Sequence, residues 1–374
     1  MAAKGTIVFE TSELAAAMRD VLGAVQARNT IPILSNVLIS ATATGHVYLT
    51  TTDLDRTVTR ACRAKSVSGA VGLTIEAKRL AEVLGTFAAG SETHIEVDGL
   101  AAVVKSGRAR LRFSVLPADD FPVAVQREVV TSFTISATAL ARGFNAVRHA
   151  VSKEETRYYL CGVFWHVRNG RLLYVATDGH RLARYSDDLP AGAADMRGTI
   201  LPTLCIDLVR SAAAERGDCD IGVKIGDGKV DFTIGNLVIL TKVIDGTYPD
   251  YERVIPTQIK LIATVDRDEM IDATRRIMVA SSDKVRGGAF TFRPAGVTMS
   301  INSTGHGEAV DEVTGDLAGA AEIRIGFNLA YLRDALDVLP VDTVRFAMGA
   351  PADPTLITST VESGLSLVLM PMNV

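Results

Sequence analysis

The sequence predicts an α+β fold of three similar domains, each with two helices and antiparallel sheets. Three observations support this prediction. Six segments have apolar residues at helical three- and four-residue spacing, and their starts lie 60 to 66 residues apart. Between them the chain has the alternating pattern and tight turns of antiparallel strands. Two stretches rich in Pro and Asp, Leu116–Gln126 and Asp245–Gln258, divide the chain into thirds.

The six predicted helices have recognisable ends. Their first residues are Ser12, Ala77, Ala137, Thr203, Arg267 and Asn328. Pro202 precedes the fourth helix, Asp266 caps the fifth, and Pro340 ends the sixth. Segments such as IEVDGLAAVVKS and GVKIGDGKVDFTIG predict strand hairpins in the intervals. We therefore expect domains at residues 1–124, 125–256 and 257–374.

Composition narrows the class of protein. The chain is 48% hydrophobic and 22% charged, which is typical of a globular protein. No apolar run reaches the ~18 residues that span a bilayer, so we expect no membrane partner. The start, MAAKGTIVFE, lacks the apolar segment of a signal peptide, and the four cysteines show no CxxC spacing. These features predict a cytoplasmic protein with reduced thiols.

Charge leaves two interpretations open. The formal net charge of −4 argues against binding nucleic acid through bulk electrostatics, but it allows a local basic face. Acidic residues lie more often in the loops and strands, whereas basic residues lie on or beside the predicted helices: Arg19, Lys78, Arg79, Arg142, Arg148, Arg210, Arg275, Arg276 and Arg333. They are either ordinary solvated side chains or a one-sided basic lining.

The stretch VATDGHRLARY, from Val175 to Tyr185, raises the question of catalysis. A hydrolase or transferase using Asp178 and His180 is one interpretation, but the two lie too close along the chain to orient one another. No GxSxG motif and no metal-binding histidine spacing accompanies them, so we expect no catalytic residues, metal or cofactor. The alternatives are a tight turn with a structural His180, or the rim of a peptide groove floored by Leu182.

Several motifs in order resemble the bacterial β sliding clamps, the processivity subunits of DNA polymerase III. The most specific are VATDGHRLA, YPDYERVIP and the terminal LVLMPMNV. The likeness covers the whole chain, since RNTIPILSNVLI and SGRARLRFSVLPADDFP match the first domain of that family. RYYLCGVFW, SSDKVRGGAFTF and IRIGFNLAYLRDAL match its second and third domains.

The resemblance implies a DNA clamp fold that closes as a head-to-tail dimeric ring, with twelve helices facing the hole. Helices roughly 10 Å across, placed twelve abreast, enclose a hole of about 28 Å, wide enough for a hydrated DNA duplex. Such a protein is not an enzyme: it encircles duplex DNA through weak contacts and confers processivity on the replicative polymerase. Its implied partners are a polymerase subunit, the clamp loader and repair proteins, which dock short peptide motifs.

The resemblance also implies three sets of site residues. The partner-peptide groove between domains 2 and 3 comprises Leu160, Thr177, Gly179, His180, Leu182, Pro249, Arg253, Val254, Asn328, Tyr331, Val368, Met370, Pro371 and Met372. Its Leu, Val and Met side chains suit the Leu or Phe of a short motif. DNA-facing residues are Arg28, Lys78, Arg79, Tyr158 and Tyr159, and the dimer seam is Leu111 and Phe113 against Val279 and Ala280.

Some positions depart from the family pattern. Thr203 and Leu204 occupy places where a basic pair is frequent, Gly85 stands where Arg is common, and Asn373 replaces a frequent tail Arg. These departures leave open whether the second and fourth helices contact DNA and whether the tail forms a salt bridge. They also leave open an alternative, a clamp paralogue from a phage or a duplicated resistance copy.

Overall fold

The described part of the chain forms two compact units. The computed structural model describes residues 4–26, 30–42, 44–69, 71–124, 128–282, 286–303, 307–318, 322–361 and 364–374. The first unit comprises Met1–Thr138, Ala191–Ala193 and Leu204–Val243, and the second comprises Ala139–Pro190, Ala194–Thr203 and Ile244–Val374.

All six predicted helices are present. They are α1 (Thr11–Leu22), α2 (Ala77–Thr86), α3 (Ala137–Arg148), α4 (Thr203–Arg216), α5 (Arg267–Met278) and α6 (Leu329–Asp337). The Asp266 side chain caps α5 by accepting a hydrogen bond from the Glu269 amide at 2.8 Å. Asn328 is the cap of α6 rather than its first helical residue. No helix in the described ranges is long and apolar enough to cross a membrane.

The strands lie in the intervals between the helices. In the first half of the chain they are β1 (Lys4–Glu10), β2 (Asn36–Ala41), β3 (His46–Thr52), β4 (Arg56–Arg63), β5 (Ser66–Gly69), β6 (Val71–Glu76), β7 (Glu92–Asp98), β8 (Ala101–Ser106), β9 (Ala109–Ser114), β10 (Thr131–Ser136), β11 (Gly162–Arg168), β12 (Arg171–Thr177) and β13 (Arg181–Asp188). The remainder are β14 (Thr199–Pro202), β15 (Asp220–Gly226), β16 (Lys229–Ile234), β17 (Leu237–Lys242), β18 (Leu261–Asp266), β19 (Gly287–Arg293), β20 (Gly296–Ser303), β21 (Gly307–Ala318), β22 (Ile323–Asn328), β23 (Thr343–Met348), β24 (Thr355–Ser359) and β25 (Leu365–Leu369).

The first unit holds two antiparallel sheets, in the orders β5-β1-β7-β8-β9 and β10-β15-β16-β17-β4-β3-β2-β6. Alternate residues of its strands are buried, as in β8, because successive side chains point to opposite faces. Asp227 and Gly228 both have positive φ in the β15–β16 turn, which is the hairpin that the GDGKV segment predicts. The core includes Ile7 and Phe9 of β1 and Leu14 and Met18 of α1.

The second unit holds one sheet of twelve strands, in the order β14-β11-β12-β13-β25-β24-β23-β18-β21-β20-β19-β22. Its largest buried side chains include Trp165, Tyr174 and Phe144, and the rings of Phe144 and Tyr174 meet edge to face at 5.3 Å. These side chains come from α3, β11 and β12, so the helix packs on the sheet through aromatic contacts.

Sheet pairing runs across both predicted domain boundaries. Strand β4 of the predicted first domain pairs with β17 of the second, and β13 of the second pairs with β25 of the third. Residue 125, where the second domain is predicted to begin, lies outside the described residues. The boundary at residue 256 falls in an irregular segment between the 3-10 helix Tyr251–Val254 and β18.

Candidate functional site

The turn between β12 and β13 is held by its own side chains. The Asp178 carboxylate accepts hydrogen bonds from the backbone amides of His180 and Arg181, at 2.9 and 3.0 Å, and from Nε of Arg181 at 3.1 Å. The Thr177 hydroxyl donates to the Arg181 carbonyl at 2.7 Å and accepts from the Gly179 amide. Gly179 has φ of +89°, which favours glycine. Asp178 is therefore a turn anchor, since its carboxylate is occupied by backbone amides and an arginine.

Arg181 extends this turn towards α6. Its Nη1 donates to the Asp334 carboxylate at 2.8 Å, and its guanidinium lies 4.2 Å from the centre of the Tyr331 ring. Asn328 caps the same helix by accepting from the amides of Ala330 and Tyr331. The turn and the first turns of α6 are thus joined by one guanidinium.

An apolar cluster lies beneath the turn. It contains Leu160, Leu173, Val175, Leu182, Ile200, Tyr248, Tyr251 and Val368. Leu182 and Val368 are paired residues of β13 and β25, and they are only 2% and 1% exposed. Leu160, Leu182 and Val368 consequently form a buried floor rather than open sockets.

The C-terminal tail runs from the β12–β13 turn to β22. The Met370 amide donates to the His180 carbonyl at 3.0 Å, and the Met372 amide donates to the Gly326 carbonyl at 2.9 Å. A Cβ at Gly326 would clash with the Met372 carbonyl oxygen, and one at Gly287 would lie 2.8 Å from the Met372 sulfur. The two glycines therefore allow the tail to approach closely, and Met370, beside His180, and Met372, beside Gly326, remain partly exposed.

The segment before β18 adds a second wall. Pro249, Arg253 and Val254 lie in or next to the 3-10 helix Tyr251–Val254, and Arg253 and Val254 are exposed. Tyr251 anchors this segment in the cluster, and its hydroxyl lies 3.0 Å from Nε2 of His166. Burial raises the pKa of Tyr251 to about 12 and lowers the pKa of His166, so both groups are neutral at neutral pH.

Several residues of this surface escape prediction from sequence. Tyr248 and Tyr251 belong to the cluster, and their spacing in TYPDYER is the only signal for them. Arg157 also lies close to the turn, with Nη1 2.8 Å from where a Cβ of Gly179 would be. Nothing in the local sequence marks Arg157 as a neighbour of Gly179 or Asp334 as a partner of Arg181, because each contact joins residues far apart along the chain.

The predicted groove residues thus gather in the second unit. Leu160, Leu182 and Val368 form the floor, Thr177, Gly179 and His180 the turn, and Asn328 and Tyr331 the start of α6. Pro249, Arg253 and Val254 occupy the segment before β18, and Met370, Pro371 and Met372 the tail. The exposed groups combine apolar Met and Val side chains with His and Arg, a combination that suits an apolar peptide with polar ends.

The predicted DNA-facing residues are scattered. Arg28 lies outside the described residues. Lys78 and Arg79 are exposed in the first turn of α2, where Arg79 lies 3.8 Å from Glu76. Tyr158 is 55% exposed, whereas Tyr159 packs against the apolar cluster, with the two rings edge to face at 5.7 Å. Tyr158 is thus the more accessible of the two rings.

The four predicted seam residues differ in exposure. Leu111 and Phe113 are half-buried on β9, the last strand of its sheet. Val279 follows α5 and is 84% exposed, whereas Ala280 is buried. Among the positions that depart from the family pattern, Leu204 is exposed, and a Cβ at Gly85 would meet nothing within 4 Å.

Within the described residues, no group of three or more His, Cys, Asp or Glu side chains is arranged to hold a metal ion. The four cysteines are free thiols.

Comparison with known families matches nearly the whole chain. Three family models match, those of the N-terminal, central and C-terminal domains of the DNA polymerase III beta subunit, over residues 6–125, 134–250 and 252–373. The beta sliding clamp of Caulobacter vibrioides is 35% identical over 375 residues, which cover 98% of this chain and 100% of that protein. The beta sliding clamp of Escherichia coli is 29% identical over 365 residues, which cover 97% and 98%.

Solved structures agree with these relatives. A sliding clamp from Bartonella birtlesii, bound to griselimycin, superimposes with a TM-score of 0.96 at 32% identity over 99% of this chain and all of that one. The Caulobacter crescentus beta sliding clamp gives a TM-score of 0.96 at 33% identity, over 100% of both chains. Both likenesses extend over all three matched domains.

Proposed function

The chain belongs to the bacterial β sliding clamp family, the beta subunits of DNA polymerase III, and on that premise we propose how its own residues serve a clamp. It is a DNA sliding clamp that confers processivity in replication, forms a homodimer, and binds DNA, the polymerase and the clamp loader. We assign it no catalytic activity, a cytoplasmic location, and domains at residues 1–124, 125–256 and 257–374. The occupied carboxylate of Asp178 supports the first assignment, since it is held by two backbone amides and Arg181 and does not orient the His180 imidazole.

Ring closure follows from the internal repeat. Two sheet junctions lie within the chain, β4 with β17 and β13 with β25. In the internal repeat, β9 corresponds to β17 and β25, and β21 corresponds to β4 and β13. In the described ranges β9 and the first part of β21, Gly307–Thr314, each pair on one side only. Pairing of β9 with β21 of a second copy would repeat the internal junction, and two such pairings close a ring. The two strand edges left unpaired, on β9 and on Gly307–Thr314, are the observation that carries the proposal.

The two edges are complementary in charge. Arg108, Arg110 and Arg112 are exposed in and before β9, whereas β21 carries Glu308, Asp311 and Glu312. Opposite charges on facing strands stabilise pairing and disfavour self-association of β9 with β9. We place Leu111, Phe113, Val279 and Ala280 at the apolar centre of this seam.

The basic helix residues suit sliding because carboxylates partly offset their charge. Arg79 lies 3.8 Å from Glu76, Arg210 lies 3.2 Å from Asp207, and Arg275 lies 3.2 Å from Asp272. A cation that is already paired with a nearby carboxylate gains less free energy from a DNA phosphate. Each contact with DNA is therefore weak and is screened by salt. We propose that Arg28, Lys78, Arg79, Tyr158 and Tyr159 make weak contacts with DNA, while the closed ring provides retention.

We assign partner docking to the surface around the β12–β13 turn and the tail. Replicative polymerase subunits, the clamp loader and repair proteins would place an apolar side chain on Met370, Met372 and Val254. His180 and Arg253 at the rim would meet polar groups of the same peptide. Methionines adapt to different apolar side chains, which suits a site that serves several partners.

Size measurement combined with loading on circular DNA tests the ring. We expect a dimer that stays on closed circles and is lost when the circle is cut, because topology rather than affinity retains it. A monomer, or equal retention on cut and closed DNA, would overturn the proposal.

Two valines of equal exposure make the test residue-specific. Val279→Asp places a charge in the proposed seam and should convert the dimer to monomers that no longer stay on circles. Val361→Asp is the control, because Val361 is 83% exposed between β24 and β25 and outside the proposed seam. Dimerisation unaffected by Val279→Asp would exclude this seam.

A further inference from the structure

Two parts of the proposed docking surface, the β12–β13 turn and the start of α6, are joined by the Arg181 guanidinium. One edge of the guanidinium bonds Asp178 of the β12–β13 turn, the other edge bonds Asp334 of α6, and its face covers the Tyr331 ring. The side chain is only 9% exposed. A planar guanidinium provides several fixed donors together with a stacking face, which an ammonium group lacks. Arg181 therefore fixes the spacing between the turn and α6.

We propose that Asp334, acting through Arg181, is a positioning residue that presets the peptide-docking surface by holding Asn328 and Tyr331 against the Gly179–His180 turn. This inference rests on the docking function proposed above. It assigns to Asp334 a role in peptide affinity, although the carboxylate is engaged by Arg181 and Arg333 rather than offered to a peptide. A preset surface binds more tightly because less ordering is needed on binding.

The charges around the network support this assignment. Burial raises the pKa of Asp334, but hydrogen bonds from Arg181 and Arg333 outweigh it, so the pKa is lowered and the carboxylate is ionised at neutral pH. Burial, together with the nearby Arg181, lowers the pKa of His149 to about 4. His149 is then neutral at neutral pH and adds no second cation to compete with Arg181 for the carboxylates.

The equivalent turn in the first unit lacks a bond like that between Arg181 and Asp334. Arg56 donates to Asp53 from Nε, at 3.0 Å, and also from Nη2, whereas Arg181 donates to Asp178 from Nε alone. In the described part of the chain Arg56 reaches no second carboxylate. The first turn therefore forms around one carboxylate, whereas in the second turn the other donor of the arginine goes to Asp334 and links the turn to α6.

Alanine substitutions at two aspartates of α6 test the inference in the full-length dimer. Asp334→Ala removes the bond from Arg181 to α6, and Asp337→Ala is the control because Asp337 is exposed on the same helix. Alanine favours helix at both sites, so loss of helix does not explain a difference. We expect Asp334→Ala to bind a fluorescein-labelled peptide with Leu and Phe anchors about tenfold more weakly. Asp337→Ala should bind it like the wild type.

Further readouts separate positioning from general stability. Asp334→Glu should recover part of the affinity, and both alanine variants should still dimerise and stay on circular DNA. In the free protein, hydrogen exchange should rise at residues 178–182 and 329–334 in Asp334→Ala only. Equal peptide affinity in the two alanine variants, with a wild type that binds, would overturn the inference alone. A wild type that binds no peptide would remove the docking function, and this inference with it.

Discussion

Two turns of the molecule share one set of hydrogen bonds, but only one of them lies beside the proposed docking surface. In the first unit Thr52–Arg56 joins β3 to β4, and in the second Thr177–Arg181 joins β12 to β13. In both, the aspartate accepts from two backbone amides and from the arginine Nε, and the threonine hydroxyl donates to the arginine carbonyl at 2.7 Å. The Thr-Asp-x-x-Arg pattern is therefore a structural device, which explains why Asp178 and His180 imitate an active site.

The turns differ in what surrounds them. Gly179 occupies the third position in one and Leu54 in the other, both with positive φ. The fourth-position carbonyl accepts from the Met370 amide at the tail in one turn, and from the Lys242 amide within a continuing chain in the other. The proposed docking surface thus depends on what surrounds the turn rather than on the turn itself. Beside the β12–β13 turn lie the C-terminal tail, the apolar cluster and a second carboxylate on α6.

Removing the aspartate of each turn should have the largest effect on stability. Asp53→Ala leaves the buried Arg56 without a carboxylate, which costs about 3–5 kcal/mol, whereas in Asp178→Ala the guanidinium of Arg181 keeps Asp334, so we expect a smaller loss there. Chemical denaturation should show the larger loss in Asp53→Ala, whereas peptide binding should fall only in Asp178→Ala. An equal or larger loss of stability in Asp178→Ala would show that Asp334 does not compensate, and peptide binding retained by Asp178→Ala would separate the turn from docking.

The parts of this comparison that sequence predicts are local ones. The helices follow from apolar periodicity, and the tight turn with positive φ at Gly179 follows from Thr-Asp-Gly after an apolar strand. The cap of α5 at Asp266 is equally local. Each of these features depends on residues within a few positions of one another, so the pattern carries the information.

The bond between Arg181 and Asp334 is not predictable from local sequence. Its partner Asp334 lies 153 residues away, and nothing near either residue distinguishes it from a solvated charge. The same holds for Arg157 against Gly179, and for the glycines Gly287 and Gly326 beneath the tail. The groove residues are predicted only by resemblance to a family, and the contacts that order them come from the fold.

Exchanging the third residue of each turn should give a smaller and opposite pair of effects. Gly179→Ala forces a Cβ into positive φ and against Arg157, which costs about 1–2 kcal/mol, and should also weaken peptide binding. Leu54→Gly removes the same strain but makes the unfolded chain more flexible, so we expect a gain of at most about 1 kcal/mol. Thermal unfolding with peptide titration measures both. Destabilisation by Leu54→Gly would mean that the leucine side chain is needed for packing.

The smallest effect is expected at the ion pair that covers the first turn. Lys242 Nζ lies 3.1 Å from the Asp55 carboxylate, and the two side chains are 53% and 74% exposed. Such a pair contributes about 0–1 kcal/mol and is screened by salt, so Lys242→Ala should barely change the denaturation midpoint, and less still in high salt. Peptide affinity should stay at the wild-type value, because a charged lysine stands where the docking turn has Met370 and offers no apolar contact. Weaker peptide binding in Lys242→Ala would place a docking site at the first turn and end the distinction between the two.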